Sequence, residues 1–179
     1  VNVTDVNEVS NITSSETGSV EENADITTII YDAEATDPDG DTLTYAVSGT
    51  DASYVEIDED NGEVRLKESA DYETKDSYTF DVIASDGELS DTKTVTVNVT
   101  DVNEVSTITS LNTGSVDENA SPDTVIYDAD ATDPDGDTLT YSVSGTDASY
   151  VDINSDGEVR LKETADYETK DSYTFDVIA

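Results

Sequence analysis

Apolar residues along this chain recur at every second position in short runs. Leu43, Tyr45 and Val47 share one face of residues 42–48. Tyr78, Phe80, Val82 and Ala84 do the same within 77–84, and Val95, Val97 and Val99 within 92–100. Shorter runs lie at 54–58 (Val55, Ile57) and 63–67 (Val64, Leu66). Residues 27–35 and an irregular stretch at 9–20 complete a set of seven candidate strands. A period of two, rich in β-branched and aromatic residues and broken by Asp, Gly and Asn, marks half-buried strands. One-sided apolar faces on seven short strands predict an all-β fold, an antiparallel β-sandwich. No segment has the 3.6-residue period of an ordinary helix, and no apolar run approaches the roughly 18 residues of a membrane-spanning helix.

The whole pattern occurs twice. Gly18-Ser19-Val20 returns as Gly114-Ser115-Val116, an offset of 96. Asp37-Pro38-Asp39-Gly40-Asp41 returns as Asp133-Pro134-Asp135-Gly136-Asp137. One residue then drops out: Asp58-Glu59-Asp60-Asn61-Gly62 becomes Asn154-Ser155-Asp156-Gly157, and the offset is 95 from there on. A deletion at a Gly-containing tip between two apolar runs is what a hairpin loop tolerates. Residues 1–4 copy residues 97–100. The expected order is therefore the last strand and linker of a preceding repeat (1–8), repeat 1 (9–104) and repeat 2 (105–179). Ala179 aligns with Ala84, so repeat 2 is expected to lack its last strand and to leave a sheet edge open. Two explanations stand side by side: a window on a longer array, or a strand supplied by residues 1–4 of another copy.

Charge changes the picture. The 179 residues include 44 Asp plus Glu against 7 Lys plus Arg, a formal net charge of -37. Such self-repulsion opposes a compact state. High charge with low hydropathy is also the signature of disorder, but the alternating apolar runs argue against disorder here. A folded chain with this balance implies bound cations or a high-salt setting. Nucleic acid and anionic membranes are excluded as natural partners, and no membrane insertion is expected. There is no Cys, Met, Trp or His. Disulfides and thiolate or imidazole metal ligands are thus ruled out.

The acids are grouped. Glu21-Glu22-Asn23 recurs as Asp117-Glu118-Asn119, the Asp-Pro-Asp-Gly-Asp phrase occurs in both repeats, and Asp71-Tyr72-Glu73 recurs as Asp166-Tyr167-Glu168. Asp5-Val6-Asn7-Glu8 recurs as Asp101-Val102-Asn103-Glu104, at the joint between repeats, and Ser85-Asp86-Gly87 occurs once. Calcium takes six to eight oxygens, at about 2.3–2.6 Å, from carboxylates, amides and backbone carbonyls. No single group here offers six, so a site needs several segments to converge. Asp-Pro-Asp-Gly-Asp is also plain turn chemistry. It is not an EF-hand, because the twelfth residue counted from Asp37 is Ser48 where that motif needs a Glu.

Taken in order, Glu-Asn, Ala-Thr-Asp-Pro-Asp-Gly-Asp-x-Leu-x-Tyr, Asn-Gly-Glu-Val-x-Leu, Asp-Tyr-Glu, Tyr-x-Phe-x-Val-x-Ala-x-Asp-Gly and Asp-x-Asn-Glu resemble a cadherin repeat. The resemblance covers repeat 1 from end to end and repeat 2 as far as Ala179. It implies tandem Greek-key sandwiches with calcium bound between consecutive repeats. Carried onto this chain, the expected ligands at the joint are Glu22, Asp71 and Glu73 from repeat 1. Asp101, the backbone of Val102, Asn103 and Glu104 would come from the linker, and Asp133 and Asp135 from repeat 2. The family joint usually reads Asp-x-Asn-Asp-Asn. Glu104 and Val105 replace its last two residues, which leaves one to three ions as the expectation. Asp5, Asn7, Glu8, Asp37, Asp39 and Asp86 form an N-terminal half joint. Glu118, Asp166 and Glu168 form a C-terminal one.

The resemblance, the charge and the missing sulfur residues together point to a bacterial surface or secreted adhesin or filament, with calcium-rigidified repeats as extenders. Its expected partners are neighbouring repeats of its own or like chains. A calcium-dependent carbohydrate-binding or homophilic module is a second reading, with extracellular polysaccharide as a partner and Tyr54 and Tyr150 as the candidate exposed rings. A filament polymerising by strand complementation is a third. Paired-carboxylate glycoside hydrolysis is the one catalytic class the residue types permit. The acids sit at turns with no aromatic-lined cleft, so no enzyme is expected.

Overall fold

The period-two runs become strands in a computed structural model that describes residues 1–179. The first unit, Val1–Val102, contains β1 (Asn11–Ile12), β2 (Thr17–Glu21), β3 (Tyr31–Asp32), β4 (Ala35–Thr36), β5 (Thr44–Ser48), β6 (Val55–Ile57), β7 (Glu63–Leu66), β8 (Ser77–Ser85) and β9 (Ser90–Thr100). Two sheets, β2-β9-β8-β5 and β3-β7-β6, with the short pair β1-β4, enclose one core. The faces are those read from the alternation. Phe80, Val82, Val95 and Val97 of one sheet are almost fully buried, as are Val55 and Val64 of the other. Tyr31 meets Phe80 edge to face across the gap, with centroids 6.5 Å apart, a favourable aromatic geometry.

The irregular stretch at 9–20 is irregular because it changes sheets. Residues 11 and 12 pair with β4, whereas residues 17–21 pair with β9. The crossing is held by polar groups. Lys93 Nζ donates to the carbonyls of Ile12 and Ser14, both at 2.8 Å, and Asp91 accepts the Ile12 N–H at 2.9 Å. After the crossing, β2 runs parallel to β9. The sandwich is therefore antiparallel in every ladder of this unit except that one. Gly18 lies where β2 passes β3, and a Cβ there would sit 2.5 Å from the Ile30 carbonyl oxygen. Val1–Thr4, expected as a strand, makes no ladder here.

The second unit, Asn103–Ala179, repeats the plan with fewer paired residues. It has β10 (Thr107–Ile108), β11 (Val125–Asp128), β12 (Ala131–Thr132), β13 (Ser142–Ser144), a 3-10 turn at Ala148–Tyr150, β14 (Val151–Ile153), β15 (Glu158–Leu161) and β16 (Asp176–Ile178). The sheet β11-β15-β14 reproduces β3-β7-β6. Its partner sheet is reduced to β13-β16. Gly114-Ser115-Val116, the copy of the β2 residues, forms no strand. In the first unit, β2 has β9 as its sole ladder partner. The consequence reaches the core: Val151, Val159 and Leu161 are buried, while Val116, Tyr173, Phe175 and Val177 are only partly covered.

This difference fixes the cost of cutting each core. We expect Phe80→Ala to destabilise the first unit by about 3–5 kcal/mol and Phe175→Ala to cost the second unit distinctly less. Amide hydrogen exchange, followed separately on β7 and β15, measures both; equal costs would contradict the packing described.

Candidate cation site

The end of the first unit is assembled around Glu22. Asn23 adopts a left-handed conformation, φ 58°, which Asn tolerates better than most residues. This turns the chain out of β2, and the Asn23 N–H then bonds the Ala70 carbonyl at 3.0 Å. Glu22 is left pointing inward, only 3% exposed. Its Oε1 accepts the Val102 N–H at 2.7 Å and its Oε2 the Tyr72 N–H at 2.9 Å. One buried carboxylate thus ties together the end of β2, the loop at 71–73 and the residues just past β9. Oxygens of Glu22, Glu73 and Asp101 come to lie within 4.8 Å of one another.

Asp71, expected as a fourth carboxylate here, caps its own turn. Its Oδ1 accepts the Thr74 N–H and its Oδ2 the Thr74 hydroxyl, both at 2.9 Å. Asp166 repeats this with Thr169, and the hydroxyl bond holds its pKa below the usual Asp value. In the second unit Glu118 and Glu168 are exposed. Asn119 keeps φ 61° and its bond to Ala165, so the turn is the same.

At the opposite pole of the first unit, Asn7 Nδ2 donates to Asp86 Oδ2 at 3.0 Å, and the Glu8 N–H donates to Asp39 Oδ2 at 2.8 Å. Asp86 Oδ1 also accepts the N–H groups of Leu89 and Glu88. These two bonds, Leu89's first, lower its pKa. Asp37 Oδ1 accepts the N–H groups of Asp39 and Asp41, while its Oδ2 is buried with no hydrogen-bond partner. Asp5 is exposed. The second unit repeats the key contact: the Glu104 N–H donates to Asp135 Oδ2 at 2.7 Å. Asn103 Nδ2 bonds the Glu104 carbonyl, and Asp133 Oδ1 accepts the Asp137 N–H at 3.2 Å. Asp135 Oδ1 is buried without a partner. A buried carboxylate oxygen left unpaired is costly. Two such atoms, both in Asp-Pro-Asp-Gly-Asp turns, fit a bound cation. The donor set is all oxygen, which selects a hard ion such as calcium rather than a transition metal.

The sequence reading missed a second constellation, built alike in both units. Asp51 is 7% exposed; it accepts the Thr79 N–H at 2.8 Å and pairs with Lys75 at 3.2 Å. The Lys75 ammonium lies 5.6 Å and 5.4 Å from the ring centroids of Tyr54 and Tyr78. Asp147, Lys170, Tyr150 and Tyr173 repeat the set. The Thr174 N–H and then Lys170 hold the Asp147 carboxyl below its usual range. The repetition of Asp-x-x-Tyr with a lone Lys was the available signal. Tyr54 and Tyr150 are each 51% exposed, but each lies against a second Tyr ring and a lysine, as part of this clasp.

Solved structures share the architecture. The chain superposes on human protocadherin-24 EC1-2 (form II) with a TM-score of 0.72 at 21% identity, over 91% of this chain and 90% of that one. On Drosophila N-cadherin EC1-4 the TM-score is 0.74 at 23% identity, over 96% and 45%. The fold is thus that of cadherin ectodomain repeats. Residues 16–100 match the Cadherin domain family. Among curated relatives, human cadherin-23 is 33% identical over 151 residues, 81% of this chain and 4% of that protein. Human protocadherin Fat 1 is 36% identical over 149 residues, 76% and 3%. Cadherin-related family member 1 of Xenopus laevis is 32% identical over 172 residues, 90% and 20%. Residues 16–100 of the first unit are thus a cadherin domain, and the second unit repeats its motifs in the same order. The chain spans a small fraction of the length of each of these relatives.

The contrast between Glu22 and Glu118 makes the anchoring role measurable. In excess chelator, we expect Glu22→Ala to cost about 1–3 kcal/mol. Two backbone N–H groups lose their acceptor, and relief of repulsion offsets part of the loss. Glu118→Ala should stay within about 0.5 kcal/mol. Denaturant unfolding reads both; equal effects would remove the assigned anchor.

Proposed function

We propose that the chain is a calcium-rigidified extracellular repeat module, an extender and adhesion segment of a bacterial adhesin or surface filament. The observation that carries this reading is the convergence of Glu22, Glu73 and Asp101 oxygens at the end of β9. Calcium is the ion whose ligand chemistry matches that set. In this reading Glu22, Glu73 and Asp101, with Asp71, the Val102 carbonyl, Asn103 and Glu104, form one ligand group. Asp133 and Asp135 of the following repeat complete it. Asp5, Asn7, Glu8, Asp37, Asp39 and Asp86 are the receiving half for a preceding repeat, and Glu118, Asp166 and Glu168 the donating half for a following one. Partners are neighbouring repeats of the same or like chains. The protein acts by geometry rather than catalysis: neutralised carboxylates fix the linker, and the repeats extend.

The bacterial assignment is supported by the absence of Cys, Met, Trp and His and by the net charge of -37. No helix is long and apolar enough to cross a membrane. A carbohydrate-binding or homophilic module is the second reading, favoured by the exposure of Tyr54, Tyr150 and Tyr167. A polysaccharide-binding platform needs open ring faces, and the lysine over Tyr54 and Tyr150 narrows that choice to Tyr167 and its counterpart Tyr72.

Calorimetric titration tests the ion. We expect saturable calcium binding that weakens about tenfold, roughly 1.4 kcal/mol, in Asp101→Asn and in Glu73→Gln. Chelation should also open residues 101–105 to proteolysis and change the small-angle scattering profile. Superimposable profiles with calcium and with chelator would sink the rigidifying role, and wild-type affinity in both variants would sink the ligand assignment.

A further inference from the structure

Residues 71–76 carry Glu73 and the Tyr72 N–H that holds Glu22, yet the segment has no apolar seat. Asp71, Tyr72, Glu73, Thr74 and Asp76 are all exposed. Lys75 is the one side chain of the six that is partly buried. It closes the clasp described above, with its ammonium 3.2 Å from Asp51 Oδ1 and over the rings of Tyr54 and Tyr78. The segment is thus docked on the sandwich by a lysine rather than by an apolar side chain.

The base of the clasp is fixed by strands. Asp51 makes two bonds to β8: its N–H donates to the Thr79 carbonyl at 3.0 Å, and its Oδ2 accepts the Thr79 N–H at 2.8 Å. Tyr78 belongs to β8 and is buried. Tyr54 precedes β6, and its carbonyl accepts the Lys67 N–H, just past β7, at 2.9 Å. On the loop side, the Lys75 N–H donates to the Asp71 carbonyl at 2.9 Å and closes one turn over residues 71–75. That turn carries Glu73. It also carries Tyr72, whose N–H fixes Glu22 Oε2. A continuous set of contacts therefore runs from β8 through Lys75 to two of the three carboxylates. The second unit builds the same seat under residues 166–171. Lys170 pairs with Asp147, lies over Tyr150 and Tyr173, and donates its N–H to the Asp166 carbonyl at 2.9 Å.

We propose that Lys75 is a positioning residue for the cation site. Its clasp seats the loop at 71–76, and through that loop it places Glu73 and the N–H that orients Glu22. The effect on the ion rests on the calcium reading above; the seating of the loop does not. Charge alone would give Lys75 the opposite role. A lysine acting only through its field repels a bound cation, so its removal would tighten calcium binding. A lysine acting through geometry strengthens binding, because groups that hold ligands in place raise affinity without touching the metal. The Lys75 charge is met by Asp51 and by two ring faces, which attract a cation. Salt screens what remains of its field. Geometry is therefore the larger effect, and the two differ in sign.

Two measurements on the 179-residue chain test this, amide hydrogen exchange in excess chelator and calorimetric calcium titration. In chelator, we expect exchange of the Tyr72 N–H to quicken about tenfold in Lys75→Met and in Tyr54→Leu. The amides at the centre of β8 should quicken distinctly less, which separates a loosened loop from a loosened fold. Calcium affinity should fall about threefold to fivefold in both variants, although one of them removes a positive charge and the other removes none. Lys75→Arg, which keeps the charge and stacks on aromatic rings, should return both readings towards wild type. Unchanged Tyr72 exchange in Lys75→Met overturns the proposal. So does calcium binding that is unchanged or tighter in that variant, since the lysine then does not place the ligands. A wild-type chain that binds no calcium sinks the calcium reading instead, and the Tyr72 measurement, made without the ion, still decides whether Lys75 seats the loop.

Discussion

Three carboxylates held within 4.8 Å of one another are the constraint on which the rest depends. Two unit charges at that distance repel by on the order of 3 kcal/mol at an effective dielectric near 20, and by less where solvent reaches Glu73 and Asp101. Folding does not allow them to separate. Glu22 is drawn inward because Asn23 turns the chain and two backbone N–H groups need its oxygens. Asp101 follows from the end of β9, and Glu73 from the loop that Glu22 itself anchors. The sandwich therefore stabilises an arrangement that its own electrostatics oppose, and a cation bound there would relieve the conflict.

The chain's own cations cannot do so, because all seven are committed elsewhere. Arg65 and Arg160 bond Glu63 and Glu158 and a neighbouring carbonyl each. Lys67 and Lys162 hold carbonyls of the adjacent loop. Lys75 and Lys170 close the two tyrosine clasps, and Lys93 fixes the point where the first strand changes sheets. Every positive charge works inside a unit. The surplus of carboxylate must be met from solution, and the unpaired buried oxygens of Asp37 and Asp135 mark where that need is sharpest.

Much of this could be read in the sequence. The faces of β5, β8 and β9 follow directly from the alternation at Leu43–Val47, Tyr78–Ala84 and Val95–Val99, because burial on one side imposes that period. The acids were legible as groups, since they recur in order. Their division of labour was not. Asp71 and Glu73 look equivalent in Asp71-Tyr72-Glu73, yet Asp71 turns back to Thr74 three residues on. Only the backbone path of the loop decides that. The parallel pairing of β2 with β9 was also hidden: alternation gives the face of a strand but not the direction of its neighbour. The Asp51–Lys75–Tyr54–Tyr78 clasp escaped notice because its members are spread over 28 residues and none is unusual alone.

The central claim is that a hard cation sits among the carboxylates at the end of the first unit. A crystal structure grown with calcium addresses it most directly. The account predicts an ion bonded to oxygens of Glu22, Glu73 and Asp101 at about 2.3–2.6 Å, with an anomalous signal at that position. Ordered water alone among those oxygens, in crystals grown at saturating calcium, would contradict it.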